Sequence, residues 1–161
     1  MALYSPMPDE LKPAEWRAWR AFLDAQATVM RRLEADLVAA DGMTLGEFDV
    51  LIQLRISPEG RLRMSELSER VRLTPSGITR LVDRMAQDGL VKRGRCASDR
   101  RGTWAILTAA GQQRIDRLRP VHLRSIREHF SRYLRADQLA PLANALEEVA
   151  RGKAATVSST A

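Results

Sequence analysis

Apolar residues recur along most of this chain at spacings of three and four, the period of a helix packed on one face. Trp16, Trp19, Leu23, Met30, Leu33 and Leu37 predict a first helix over residues 13–40, with Gln26 as its one polar interruption. Phe22 and Val29 form a second apolar row, so this helix has two faces to bury. Pro13 suits a first helical turn and Gly42 a C-terminal stop. Thr44-Leu45-Gly46-Glu47 reads as a capping box, in which hydroxyl and carboxylate satisfy the free N–H groups of a helix start. The second helix carries Phe48, Leu51, Ile52 and Leu54, and Ser57-Pro58-Glu59-Gly60 ends it as a turn.

Short elements follow. Residues 61–63 read as a very short strand and 65–71 as a short helix with Leu67 and Val71 inward. After a tight connection, Thr74 is an N-cap and Pro75 occupies the position where a missing N–H costs nothing. The helix over 75–88 buries Ile78, Leu81, Val82 and Met85, and Gly89 closes it. Residues 90–95 and 103–107 predict a β-hairpin, joined by a long charged loop over 96–102. Thr108 caps a helix carrying Ile115, Leu118, Ile126, Phe130, Tyr133 and Leu134, with a kink or break expected at Pro120. A last helix over 137–150 lines up Leu139, Leu142, Leu146 and Val149, and 153–161 reads as a disordered tail. The fold class is therefore mainly α with a small β-hairpin, as one domain over 1–161.

Charge adds a partner class. The 161 residues hold 26 Lys and Arg against 20 Asp and Glu, a formal net charge of +6, which points to a polyanion. The single Cys excludes an internal disulfide framework and fits a reducing compartment. Residues 1–11 lack the basic start and apolar run of a signal peptide, and no stretch is apolar for long enough to span a bilayer. A cytoplasmic location is expected, with no membrane partner.

The basic residues gather where the elements are shortest. Short helix, tight turn, capped helix and basic hairpin follow one another in the order of a winged helix-turn-helix. Opposite its apolar side the helix over 75–88 presents Ser76, Thr79, Arg80, Asp83 and Arg84, of which Ser76, Arg80 and Arg84 stand four apart in one row. Pro75, Ser76 and Gly77 keep its N-terminus narrow, so backbone N–H groups can approach a phosphate. Ser65 is a further phosphate contact. Arg80, with Thr79, is placed to reach a base edge, and Arg84 a base or the backbone. Exposed arginines alone describe a solvated helix face; the capped start and the adjoining hairpin are what favour duplex DNA. Lys92, Arg93, Arg95, Arg100 and Arg101 crowd the hairpin with Asp99 the one acid among them, a density of like charge suited to a minor groove.

These residues resemble the MarR (multiple-antibiotic-resistance) family of winged helix-turn-helix transcription regulators. Asp99-Arg100-Arg101 followed by Leu107-Thr108 is similar to the family's wing pattern, and 64–70 with 74–85 resemble its helix-turn-helix. The resemblance implies a DNA-binding lobe over 44–108, dimerisation helices over 13–40 and 109–152, and a homodimer on a pseudo-palindromic operator. The doubly apolar first helix and the amphipathic last two carry more apolar surface than one small lobe covers, which agrees. In the wing, the family pattern has Asp99 brace Arg101, with Arg100 or Arg101 reaching the minor groove.

The resemblance also implies a repressor released by a small aromatic, lipophilic or anionic effector between the dimer helices and the lobe. Trp16, Trp19, Phe22, His122 and His129 border that crevice, although core or interface packing accounts for them as well. Two histidines without a nearby Cys or acid pair make a poor metal site, so neither metal nor cofactor is expected. Cys96 among basic residues offers a redox alternative, and a winged helix can also serve as a protein-interaction module. No nucleophile–His–acid set or Gly-rich phosphate loop supports an enzyme.

Overall fold

The computed structural model describes residues 11–96 and 99–152, with 95–96 and 99–102 described by their backbone alone. The readings placed on the first ten residues and on 153–161 lie outside the described residues. So do those placed on the side chains of Arg95, Cys96, Asp99, Arg100 and Arg101.

Helix α1 (Pro13–Asp41) leads into α2 (Leu45–Ile56), a 3-10 turn (Pro58–Gly60) and strand β1 (Arg61–Arg63). Helices α3 (Met64–Val71) and α4 (Pro75–Gln87) follow, then β2 (Val91–Cys96) and β3 (Asp99–Leu107). The chain ends with α5 (Ala109–His129), a second 3-10 turn (Ser131–Tyr133) and α6 (Ala136–Arg151). The strands form one antiparallel sheet in the order β1-β3-β2. The predicted capping box is present at α2: Thr44 Oγ1 accepts from the Glu47 N–H, and Glu47 Oε2 accepts from the Thr44 N–H. Gly42 stops α1 in the left-handed conformation, where a side chain is strained.

Three expectations are corrected. The hairpin has no long loop: β3 starts at Asp99, Cys96 pairs with Asp99 and Arg95 with Thr103, and an irregularity between Arg95 and Cys96 absorbs the difference in strand length. A run of charges reads as loop because strand signals rest on apolar alternation, and ladder hydrogen bonds leave no trace in composition. Of the kink or break expected at Pro120, the break does not occur: helix α5 runs on through it, since one missing N–H is outweighed by tertiary packing along α1 and α2. It then stops at His129, so Phe130 becomes its C-terminal cap, and Tyr133 and Leu134 fall outside it.

The core lies in the middle of the chain. Phe48, Leu51 and Leu54 of α2 meet Leu67 of α3, Ile78, Val82 and Met85 of α4, Val91 and Ala105 of the sheet, and Ile115 and Leu118 of α5. Each of these side chains larger than alanine contributes about 1.5–3 kcal/mol of burial. Gly111 at the start of α5 is part of this packing: a Cβ there would collide with the carbonyl oxygen of Leu90. Ion pairs fasten α5 to its neighbours, with Arg55 Nη1 2.7 Å from Asp116 and Arg114 and Arg117 both on Asp41.

The flanking helices differ from this lobe. Trp16, Trp19, Phe22 and Leu23 on α1 are exposed, and α6 buries no residue. No helix among the described residues is long and apolar enough to cross a membrane.

Candidate nucleic-acid interface

The turn between α3 and α4 is held by its own backbone. Arg72 takes the left-handed conformation (φ 57°, ψ 39°), which lets the Leu73 N–H donate to the Ser68 carbonyl at 3.1 Å. The buried Ser68 hydroxyl donates back to the Leu73 carbonyl at 2.6 Å. A non-glycine residue at positive φ is strained, and these two bonds hold Arg72 there. The turn thereby fixes the angle at which α4 leaves α3.

Helix α4 presents its N-terminus outward. Thr74 Oγ1 accepts from the Gly77 N–H at 3.1 Å, and Pro75 opens the helix. A Cβ on Gly77 would stand 3.1 Å from that hydroxyl, so glycine keeps the cap uncrowded. Thr74, Pro75, Ser76 and Arg80 are exposed, while Ile78, Val82 and Met85 on the other side are buried. The Thr79 hydroxyl is turned back onto its own helix, donating to the Pro75 carbonyl at 2.8 Å. Arg80 has no hydrogen-bond or ion-pair partner among the described residues, so its guanidinium is available to an outside acceptor.

Arg84 stands differently. Its Nε and Nη2 lie 3.0 and 2.9 Å from one Glu47 oxygen, which ties α4 to α2. Asp83 pairs at 2.9 Å with Arg93 of β2, tying α4 to the hairpin. Ser65 at the start of α3 and Lys92 on β2 are exposed. The structure thus gathers Thr74, Pro75, Ser76, Gly77, Thr79 and Arg80 at one end of α4, and turns Arg84 and Arg93 to partners inside the lobe.

Two features escape a reading of the sequence. Arg61 and Arg63 place their guanidinium carbons 4.9 and 5.6 Å from the centre of the Trp104 ring, across the β1–β3 pairing. Only the strand register, Arg63 opposite Trp104, reveals it. Glu47 is the other. Its capping role is visible in sequence, but its contact with Arg84 spans 37 positions and leaves no local signal. Burial pushes the Glu47 carboxyl up, yet the Thr44 N–H and hydroxyl and the Arg84 guanidinium outweigh it, and the group titrates below the ordinary carboxylate range.

The five residues expected around an effector crevice are not brought together. Trp19 and Phe22 stack on the exposed part of α1 with centroids 6.0 Å apart, and Trp16 lies half-exposed beyond them. His129 Nε2 is 2.9 Å from Asp36 Oδ2, an oxygen that also accepts from the Ser125 hydroxyl. Of the five, His122 is the one that lines a cleft of about 610 Å³ between α1, α2, α5 and the α3–α4 turn, while Phe22 lines a separate groove. Met30, Leu33, Phe48, Ile52, Val71 and Leu123 make its walls largely apolar, and Glu34, Asp49 and Arg119 line it as well. The His122 ring lies 4.8 Å from that of Phe48, and its buried Nδ1 has no partner among the described residues. Burial holds the His122 pKa below its ordinary value of 6.5, against the pull of Asp49.

Comparison with known proteins agrees with this geometry. Residues 41–102 match the family model of the MarR family. The transcriptional repressor YetL of Bacillus subtilis is 33% identical over 95 residues, which are 59% of this chain and 57% of YetL. The chain thus spans little more than half the length of this curated relative. Solved structures align over more. Sco3205 of Streptomyces coelicolor, a MarR family regulator solved in complex with DNA, is 32% identical with a TM-score of 0.83, over 89% of this chain and 93% of that one. AbsC from the same organism is 33% identical with a TM-score of 0.82, over 89% and 96%. From the capped helix α4 to the hairpin beside it, the chain belongs to the MarR family of winged helix-turn-helix regulators.

Proposed function

We propose that this chain is a sequence-specific, double-stranded-DNA-binding transcriptional regulator that acts as a homodimer and represses by occupying a promoter. The observation that carries the reading is α4: a capped, exposed helix N-terminus with an unpaired arginine one turn along, fixed by a turn with its own hydrogen bonds. Helix N-termini favour phosphate, and an arginine fork suits the guanine edge. In this reading Ser65, Ser76 and the first amides of α4 hold phosphates, Arg80 reads a base with Thr79 beside it, and the basic hairpin follows the minor groove. That Sco3205 was solved with DNA supports the same assignment. The role is non-enzymatic and the location cytoplasmic.

Dimerisation follows from the helices around the lobe. The stripe on α6 and the exposed face of α1 line an apolar groove of about 530 Å³ with Phe22, Met30, Phe130, Leu142 and Leu146. A second copy of the same helices is the complementary surface. The cleft at His122 is the effector site of this reading. A neutral imidazole with an open Nδ1 among apolar walls and one arginine takes a small, largely apolar molecule bearing a hydrogen-bonding group. Its walls come from dimer helices and from the α3–α4 turn, so filling it changes the spacing of the two lobes.

The test is selection of bound fragments from a genomic library by the purified protein. An enriched pseudo-palindrome, with half-sites about 34 Å apart, is the expected result. No enriched site contradicts the reading.

A further inference from the structure

The row of Ser76, Arg80 and Arg84 on α4 is not uniform. Arg80 is unpaired among the described residues, while Arg84 gives both Nε and Nη2 to a single Glu47 oxygen. The other Glu47 oxygen accepts the Thr44 N–H and hydroxyl, both at 2.8 Å. The exposures are unequal: the carboxylate side chain is 11% exposed and the arginine 55%. A surface pair between two exposed side chains is weak, but here one partner is nearly buried and already bonded to its own helix cap. Glu47 is held independently of Arg84, through the two Thr44 bonds to its other oxygen, so it fixes the guanidinium rather than following it. Asp83, one position earlier, is likewise locked to Arg93 of β2.

We infer that Glu47 is a specificity-determining residue, which withholds Arg84 from DNA phosphates and leaves Arg80 as the one cation of that row able to bind. This builds on the DNA-regulator reading above. An arginine free to swing onto any phosphate adds affinity for every sequence alike, because non-specific binding is almost wholly phosphate contact. Specificity is a difference between two affinities, and it shrinks when both rise together. A guanidinium neutralised and anchored on a carboxylate of the lobe adds little to the non-specific term. It also fixes α4 against α2, so Glu47 is a positioning residue for Arg80.

The experiment follows binding by fluorescence anisotropy, over a salt series, to the duplex enriched from the genomic library and to a scrambled duplex. Glu47→Gln keeps the capping box, since Gln serves there as well as Glu, and removes the charge that holds Arg84. The expected result is a steeper salt dependence on the scrambled duplex. Each released arginine adds about 0.9 to the slope, or roughly two per dimer. The ratio of specific to scrambled affinity falls with it, and adding Arg84→Ala to that variant restores the wild-type slope. Arg84→Gln covers the case in which Glu47→Gln does not fold: it weakens binding to the selected duplex without flattening the salt dependence. A flatter slope for Arg84→Gln would put Arg84 on phosphate in the wild type and overturn the inference. An unchanged slope and ratio in folded Glu47→Gln overturns it too. In both cases the wild type still prefers its selected duplex. A wild type that does not discriminate overturns the regulator reading itself, and this inference with it.

Discussion

The lobe from α2 to the start of α5 and the helices that flank it solve the burial of apolar surface in opposite ways. In the lobe, Leu51, Leu54, Leu67, Val82 and Met85 have no exposed surface within one chain. On α1 and α6, Trp16, Trp19, Leu139 and Val149 line up just as regularly and stay exposed, Val149 at 75%. The period is the same. What differs is where the complementary surface lies: within the chain for the lobe and, in the homodimer proposed above, on a second copy for the helices. An apolar stripe therefore states that a face is to be covered and is silent on what covers it.

The severest way to break this comparison is at the joint between the two regions. Gly111→Val drives side-chain carbons into the Leu90 carbonyl, a backbone atom that cannot swing aside. The expected cost is about 3 kcal/mol or more, measured as loss of a cooperative thermal transition. Next comes the contrast itself. Leu54→Ala empties a fully buried site and costs about 2–5 kcal/mol, whereas Leu146→Glu, on the exposed stripe of α6, dissociates the dimer while leaving the lobe folded. Sedimentation equilibrium beside circular dichroism separates the two. A Leu146→Glu protein that remains dimeric removes α6 from the interface.

Smaller effects sharpen the picture. Thr74→Ala deletes the acceptor for the Gly77 N–H and costs about 1 kcal/mol. DNA affinity falls with it, because the amides that meet phosphate lose their order. The last prediction concerns pH. His122 titrates below its ordinary 6.5 in the folded chain, so the unfolded chain takes up its proton first as pH falls. Its contribution to stability is complete above about pH 6.5 and is lost below it. Denaturant melts from pH 7.5 to 5 should show that loss, and His122→Phe should flatten it. An effector that accepts a hydrogen bond from Nδ1 should lessen the loss as well.

Much of this was legible in the order of residues. Thr44 with Glu47, Thr74 with Pro75 and Thr108 each mark a helix start through bonds that span three positions. Local chemistry of that kind survives in sequence. The hairpin misled, because Asp99 joins β3 through ladder bonds to Cys96 that no alternation announces. Helix α5 misled at its end: Phe130, Tyr133 and Leu134 keep a helical period after the helix has stopped. At the candidate interface, sequence placed Arg80 and Arg84 on one row, and the row is real. It could not tell the paired arginine from the unpaired one, since Glu47 reaches Arg84 from another helix.

The central claim is that α4 reads DNA through Arg80. Its most direct test is the affinity of Arg80→Ala beside wild type, by anisotropy at fixed salt, for the selected and the scrambled duplex. The account predicts a loss of about 1–3 kcal/mol per base contact on the selected duplex and little change on the scrambled one. Equal losses on both would make Arg80 a phosphate contact alone, and no loss on either would contradict the account.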